Sequence, residues 1–336
     1  MPGVRKLCHL AALLAIAACA ALAGCGSATS SGGDQDATLL LDFTPNGVHA
    51  GIFSAVRRGY DTAEGVRLHV RTPASGADAT KLLLAGRVDF AVLDIHDLAL
   101  AREKDADVVG VMALVQRPLA AVLAQPGIRT PRDLQGRSVG VTGLPSDDAV
   151  LASIVKGAGG DPARVHKVTI GFNAVQSLLA RRVAGATAFW DVEGVELHDK
   201  RPKAKEFRVD DYGAPPYPEL VLATSRRTID DNPGLVSATV KALVRGYDFT
   251  LTDPDSSAQD LIAANPGVDP KQIAAQLDVL DTAFVGAENR FGVLDPAALR
   301  RWAAWEARFG IVSRPPDVAT MFAPRFADAA ARRQSG

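Results

Sequence analysis

The chain has 336 residues, 47% hydrophobic and 22% charged, with 37 basic against 38 acidic side chains. That is too apolar for a disordered chain, and long enough for two lobes with sizeable cores. A formal net charge of −1 offers no concentrated basic face to nucleic acid. The three cysteines, Cys8, Cys19 and Cys25, all fall in the first 25 residues. Their placement excludes disulfides, thiolate metal sites and cysteine nucleophiles from the body of the protein.

The N-terminus accounts for them. Arg5 and Lys6 precede the apolar run Leu10 to Leu22, which is shorter than the ~20 residues of a membrane-spanning helix and reads as a secretory signal. It ends in Leu22-Ala23-Gly24-Cys25, small residues before a cysteine, the pattern at which a lipoprotein signal is cut and the cysteine lipidated. Residues 1–24 are therefore expected to be a lipoprotein signal peptide. Cys25 is the expected lipid anchor on the extracytoplasmic face of the cell membrane, and 25–37 a flexible tether. The alternative is an ordinary signal cut after Ala23 or Gly24. Removing 1–24 takes away Arg5 and Lys6 and no acidic residue, so the mature net charge becomes −3.

Beyond the tether, short β-rich runs alternate with longer helical stretches. Strands are expected at Thr38–Phe43, Val66–Thr72, Val88–Asp94 and Val108–Val115, with helices at Val48–Ala63, Ala77–Ala85 and Leu98–Lys104. Thr38–Phe43 is a nearly continuous apolar run, as in a sheet covered on both faces. A second series follows, with strands at Leu119–Ala124, Ser138–Thr142, Val168–Phe172 and Ala186–Trp190. Its helices are Ser146–Gly157, where Asp147 and Asp148 suit the first turn, and Val175–Val183. After the proline-rich Tyr212–Pro218 comes a strand at Leu220–Thr224. Helices are then expected at Pro233–Thr250, Ser257–Ala264, Pro270–Val285 and Pro296–Phe309, with Asn-Pro and Asp-Pro pairs at their starts. Trp302 and Trp305 share one face of the last and read as core.

The pattern is α/β. It fits lobe one over 38–120, lobe two over 121–220 and a return to lobe one over 221–336 with a helical tail. A ligand would lie in the cleft between lobes able to close on a hinge.

The segment Leu41–Gly51, LDFTPNGVHAG, resembles the opening motif of the ThiY-like solute-binding proteins for pyrimidine precursors of thiamine, Leu-Asp-Trp/Phe-x-Pro-Asn-x-x-His-x-Gly. Further matches are RGYDTAEGVRLHV (58–70), LLAGRVDFAV (83–92), LVQRPLAAVLA (114–124), DLQGRSVGVTG (133–143) and FWDVEGVEL (189–197). GYDTAEGV and LLAGRVDFAV recur in binding proteins for nitrate, sulfonates and taurine, so they point only to the fold. The TPNGVHAG and FWDVEG pieces are narrower. The resemblance implies a two-lobed type 2 periplasmic-binding fold, a flat amine-bearing heteroaromatic ligand, ABC permease and ATPase partners, a monomer, and no cofactor or metal.

An aminopyrimidine presents a ring-nitrogen acceptor beside an amine donor, plus two π faces. Trp190 is expected to stack on it and Glu193 to accept from its amine, both just after a strand. Phe43, Asn46 and His49 form the complementary group in lobe one, with His49 facing the cleft. Asp94 is either a cleft contact or a helix cap. Gly143 to Ser146 precede a helix N-terminus whose free N–H groups suit an anionic or polar substituent. His69, His96, His166 and His198 read as surface or core. Tyr212 and Tyr217 either line the hinge or pack the loop.

Fungal enzymes that make the thiamine pyrimidine share the fold and opening motif, but they carry a cysteine-rich iron-binding motif that this body lacks. No nucleophile elbow, zincin motif or phosphate loop is present, so a non-enzymatic role is expected. Riboflavin-type ligands are the alternative. Nitrate or sulfonate would be repelled by Glu193.

Overall fold

The computed structural model describes residues 34–73, 79–286 and 290–332. The expected signal peptide, Cys25 and the tether as far as Gly33 lie outside the described residues, as do residues 77 and 78 of the second expected helix. No helix among the described residues is long and apolar enough to cross a membrane.

Ten strands form two five-stranded sheets. The first has the order β2-β1-β3-β10-β4, built from β1 (Gln35–Leu40), β2 (Val66–Arg71), β3 (Phe90–Asp94), β4 (Val108–Ala113) and β10 (Leu220–Ser225). The second has the order β7-β6-β8-β5-β9, from β5 (Ala120–Ala124), β6 (Ser138–Val141), β7 (His166–Thr169), β8 (Gly185–Phe189) and β9 (Lys205–Arg208). In each sheet the first three strands pair in parallel. One returning strand then runs antiparallel to both its neighbours, β10 in the first sheet and β5 in the second. The chain crosses between sheets twice, through 114–119 and through 209–219. β4 and β10 are buried along their whole length, as the apolar run of β4 and the Leu220–Ala223 run of β10 require, with the Thr224 hydroxyl bonded to the Asp89 carbonyl, whereas edge strand β7 is exposed at every residue.

The boundaries moved where pairing or capping decides them. β1 starts at Gln35, inside the expected tether, because Gln35 to Ala37 pair with Val66 to Leu68. The helix expected over Val48–Ala63 breaks at Gly59, whose φ of 68° is a left-handed turn. Its main piece is α1 (Ala50–Arg57). A helix the sequence did not suggest, Val195–Lys200, follows a single turn of π-helix at Trp190–Gly194. The four late helices each start with Pro at the first helical position behind an Asn or Asp that accepts from N–H groups of the first turn. Asp253 therefore starts the second of them at Pro254, three residues before the expected Ser257.

Helix α2 (Pro233–Thr252) lies against α1 at unusually close range. A Cβ at Gly246 would sit 2.1 Å from the Gly51 carbonyl oxygen, and one at Gly51 would sit 2.4 Å from the Tyr247 ring. Tyr247 donates to the Val48 carbonyl at 2.8 Å and stacks on Phe291 at 4.1 Å between centroids. This contact fixes the start of α1 and hence the loop before it. Gly246→Ala is expected to lower unfolding free energy by about 3 kcal/mol, since backbone must shift to admit one methyl. Urea denaturation measures it.

Candidate functional site

A cavity of about 530 Å³ opens between the two sheets. From the first it is lined by the loop after β1, the end of β3 and the start of β10. From the second it is lined by the loop after β6, Phe172 and the turn after β8. These are the strand ends at which α/β sheets place ligands.

The loop Asp42–His49 is built from its own side chains. Asn46 Oδ1 accepts from Val48 N at 3.0 Å, and His49 Nδ1 accepts from Asn46 N at 3.2 Å, a reciprocal cap on the turn that leads into α1. With Nδ1 accepting, the His49 proton sits on Nε2, which donates to Asp42 Oδ1 at 2.8 Å. Gly47 N donates to Gln276 Oε1 at 2.8 Å. Phe43 and Asn46 thus reach the cavity wall. His49 does not: it is fully buried and orients Asp42, which does line the cavity.

Phe43 meets Phe172 across the opening, with ring centroids 5.6 Å apart and planes tilted by 49°. Phe172, just after edge strand β7, is 55% exposed. The two rings come from opposite sheets.

Across from this pair the turn Trp190–Gly194 supplies the polar wall. Trp190 is buried and does not line the cavity. Its indole N–H donates to the Pro118 carbonyl at 2.9 Å, and the Arg208 guanidinium lies 3.9 Å above its ring. Phe189, one residue earlier, lines the cavity instead. The π turn carries the indole away from the cleft and presents Asp191 and Glu193 to it. One oxygen of Glu193 accepts from Phe189 N at 3.2 Å. Burial pushes its carboxyl above the usual range, against the hydrogen bonds it receives. Asp191 is fully buried, and neither of its oxygens has a partner from another residue. Burial first, then the nearby charges of Glu193, Asp42 and Glu219, push its carboxyl well above the usual range.

Asp94 takes both roles left open for it. It caps the helix Ile95–Glu103 by accepting from His96 N at 2.7 Å, and it lines the cavity. Behind it His96 is buried between Tyr217, Trp302 and Trp305. Its Nδ1 bonds Glu306, and its Nε2 faces the Tyr217 hydroxyl at 3.3 Å and Glu219 Oε1 at 3.4 Å. Burial opposes the charge on this ring, but Glu306 and Asp94 outweigh it and hold its pKa well above the usual value. Asp94, His96 and Glu219 offer ligand atoms within 4.8 Å of one another. The His96 ring engages Glu306 through its other nitrogen, so the trio belongs to one buried polar network centred on this histidine.

Of the helix N-terminus, Ser146 lines the cavity, while Gly143 lies outside it and supplies the positive φ of its loop, 98°. Asp147, in the first turn, also lines the cavity and accepts from both the backbone and hydroxyl of Thr142. Among the described residues the wall holds seven carboxyl side chains, Asp42, Asp94, Asp97, Asp147, Asp191, Glu193 and Glu219, together with His96, and no lysine or arginine. An anionic substituent meets the wrong charge here. Asp191, Glu219 and Phe172 line the cavity without having been expected there. Asp191 alone carried a signal, as the acid between Trp190 and Glu193.

A carboxyl with a raised folded pKa binds its proton more firmly in the folded chain than in the unfolded one. It therefore penalises folding progressively as the pH rises above about 4, the unfolded value. Asp191→Asn is expected to stabilise the empty protein at pH 7–8 by about 1–3 kcal/mol. The gain should vanish near pH 4, and thermal melts across that range check both.

The model of the family described as NMT1/THI5 like matches residues 46–257. The formylaminopyrimidine-binding protein of Halalkalibacterium halodurans is 31% identical over 252 residues, 72% of this chain and 74% of that protein. The 4-amino-5-hydroxymethyl-2-methylpyrimidine phosphate synthase THI5 of Saccharomyces cerevisiae is 25% identical over 243 residues, 68% of this chain and 71% of that one. The periplasmic nitrate-binding protein NrtA from Synechocystis PCC 6803 superposes with a TM-score of 0.70 at 11% identity, over 89% of each chain. The two-sheet architecture is thus that of the periplasmic binding proteins, and the chain belongs to the NMT1/THI5-like family.

Proposed function

We propose that this protein is the extracytoplasmic solute-binding subunit of an ABC importer, and that its cavity takes a thiamine pyrimidine precursor of the hydroxymethyl, aminomethyl or formamido type. One observation carries the reading: a wall rich in carboxyl groups, without lysine or arginine among the described residues, facing a pair of phenyl rings. An aminopyrimidine supplies what both lack, N–H donors at its edge and a flat π face. The likeness to a formylaminopyrimidine-binding protein supports the same class.

In this reading Phe43 and Phe172 clasp the ring. A ring held between them needs about 7 Å, two van der Waals contacts, against the 5.6 Å between their centroids, so a small separation of the lobes admits it. Glu193 accepts from the exocyclic amine through the oxygen that Phe189 N leaves free. Asn46, Asp94 and Ser146 complete the edge contacts. His49 and Trp190 act from behind, the first by orienting Asp42 and the second by anchoring the turn that bears Glu193. Gly143 shapes the loop. The role is binding without catalysis, by a monomer tethered through lipidated Cys25. The synthase relatives leave open an enzymatic reading for the family, but a cleft without a cysteine or an organised nucleophile and base favours binding here.

Calorimetry with hydroxymethylpyrimidine, its aminomethyl and formamido relatives, thiamine, riboflavin and nitrate tests this. Micromolar or tighter binding is expected for at least one pyrimidine precursor, weakened about tenfold or more in Glu193→Ala and in Phe43→Ala. Heat from none of the pyrimidines overturns it. For the anchor, Cys25→Ser is expected to move the protein from the membrane to the soluble fraction, read by fractionation and blotting.

A further inference from the structure

Resting on the pyrimidine reading, we propose that the site is built for a ligand bearing a primary ammonium group, and that Asp191 is its counter-ion. Among the pyrimidine precursors this selects the aminomethyl type over the neutral hydroxymethyl and formamido types.

Asp191 differs from the other acids of the wall: Asp97 is only partly buried and keeps access to water, and the remaining five are engaged within the protein. Asp42 is engaged by His49, Asp94 by His96 N, Asp147 by Thr142, Glu193 by Phe189 N, and Glu219 by Leu119 N and Ala120 N. Asp191 has no such donor on either oxygen, although it is fully buried and lines the cavity. A buried acceptor left unmade is unfavourable in a native structure, and for a carboxylate doubly so. Among the described residues no arginine or lysine lines the wall, so the donor is sought in what the cavity holds. An amide or hydroxyl would give it one hydrogen bond and leave the charge uncompensated. An ammonium gives up to three donors and a positive charge, and the neighbouring Asp42, Glu193 and Glu219 add to the same field. The placement also fits the ring. Asp191 and Glu193 leave one π turn two residues apart, so one acid can take the exocyclic amine while the other takes a charged arm on the next ring carbon.

The test compares amine and alcohol partners on the full mature chain. Calorimetry with the aminomethyl and hydroxymethyl pyrimidines at pH 7 is expected to favour the amine by about tenfold or more. In Asp191→Asn that ratio is expected to fall to about one. Equal affinities in the native chain, or a tighter alcohol, overturn the ammonium preference and leave the pyrimidine reading standing. A ratio that survives in Asp191→Asn overturns the assignment to Asp191. Benzylamine and benzyl alcohol, followed by ligand-observed NMR, separate the two readings if no pyrimidine binds. An amine preference that Asp191→Asn abolishes then supports the ammonium socket while the pyrimidine reading fails. No preference overturns the socket as well.

Discussion

Both passages of the chain between the sheets meet at one carboxylate. Glu219, last residue of the second passage, accepts from Leu119 N and Ala120 N at the end of the first, at 2.6 and 3.0 Å. Its own carbonyl accepts from Ile95 N at the start of the helix that Asp94 caps. Two strands that must return antiparallel, β5 and β10, are thereby set side by side at their first residues. The other oxygen of Glu219 faces His96, whose second nitrogen holds Glu306 of the tail helix. The crossing point, the cavity wall and the C-terminal helices share a single ion network, buried among Tyr217, Trp302 and Trp305. Trp190 grips the same crossing from the other side through the Pro118 carbonyl.

Much of the fold was legible because its signals are local. The apolar runs of β4 and β10 mark strands covered on both faces, and Asn-Pro and Asp-Pro pairs mark helix starts through caps that act within one turn. What was not legible is the matching order of the two sheets, because it rests on which strand returns where and leaves no repeated residues behind. The early start of β1 was hidden for a similar reason. Gln35 and Asp36 look like tether until Val66 and Arg67 lie alongside them.

The site divides along the same line. Phe43, Asn46 and Glu193 stand on loops whose motifs are contiguous, so position along the chain implied position in space. Trp190 sits in an equally clear motif, but the destination of its ring is set by a π turn and by Pro118, 72 residues away. His49 was read toward the cleft and instead closes a three-residue cap, since a histidine placed three after Asn46 finds the backbone first. Phe172 acquires meaning only opposite Phe43, and Glu219 only beside Leu119. Contacts between lobes carry no sequence spacing.

Asp191 has one more consequence, which concerns what leaves the cleft on loading. In the empty cavity, burial and the neighbouring acids favour the protonated form of this carboxyl. A cationic guest favours the charged form instead, so binding there draws protons off the acid. Proton release then offsets part of the charge the guest brings, and a transport partner has less net charge than cleft shape by which to tell the loaded form from the empty one.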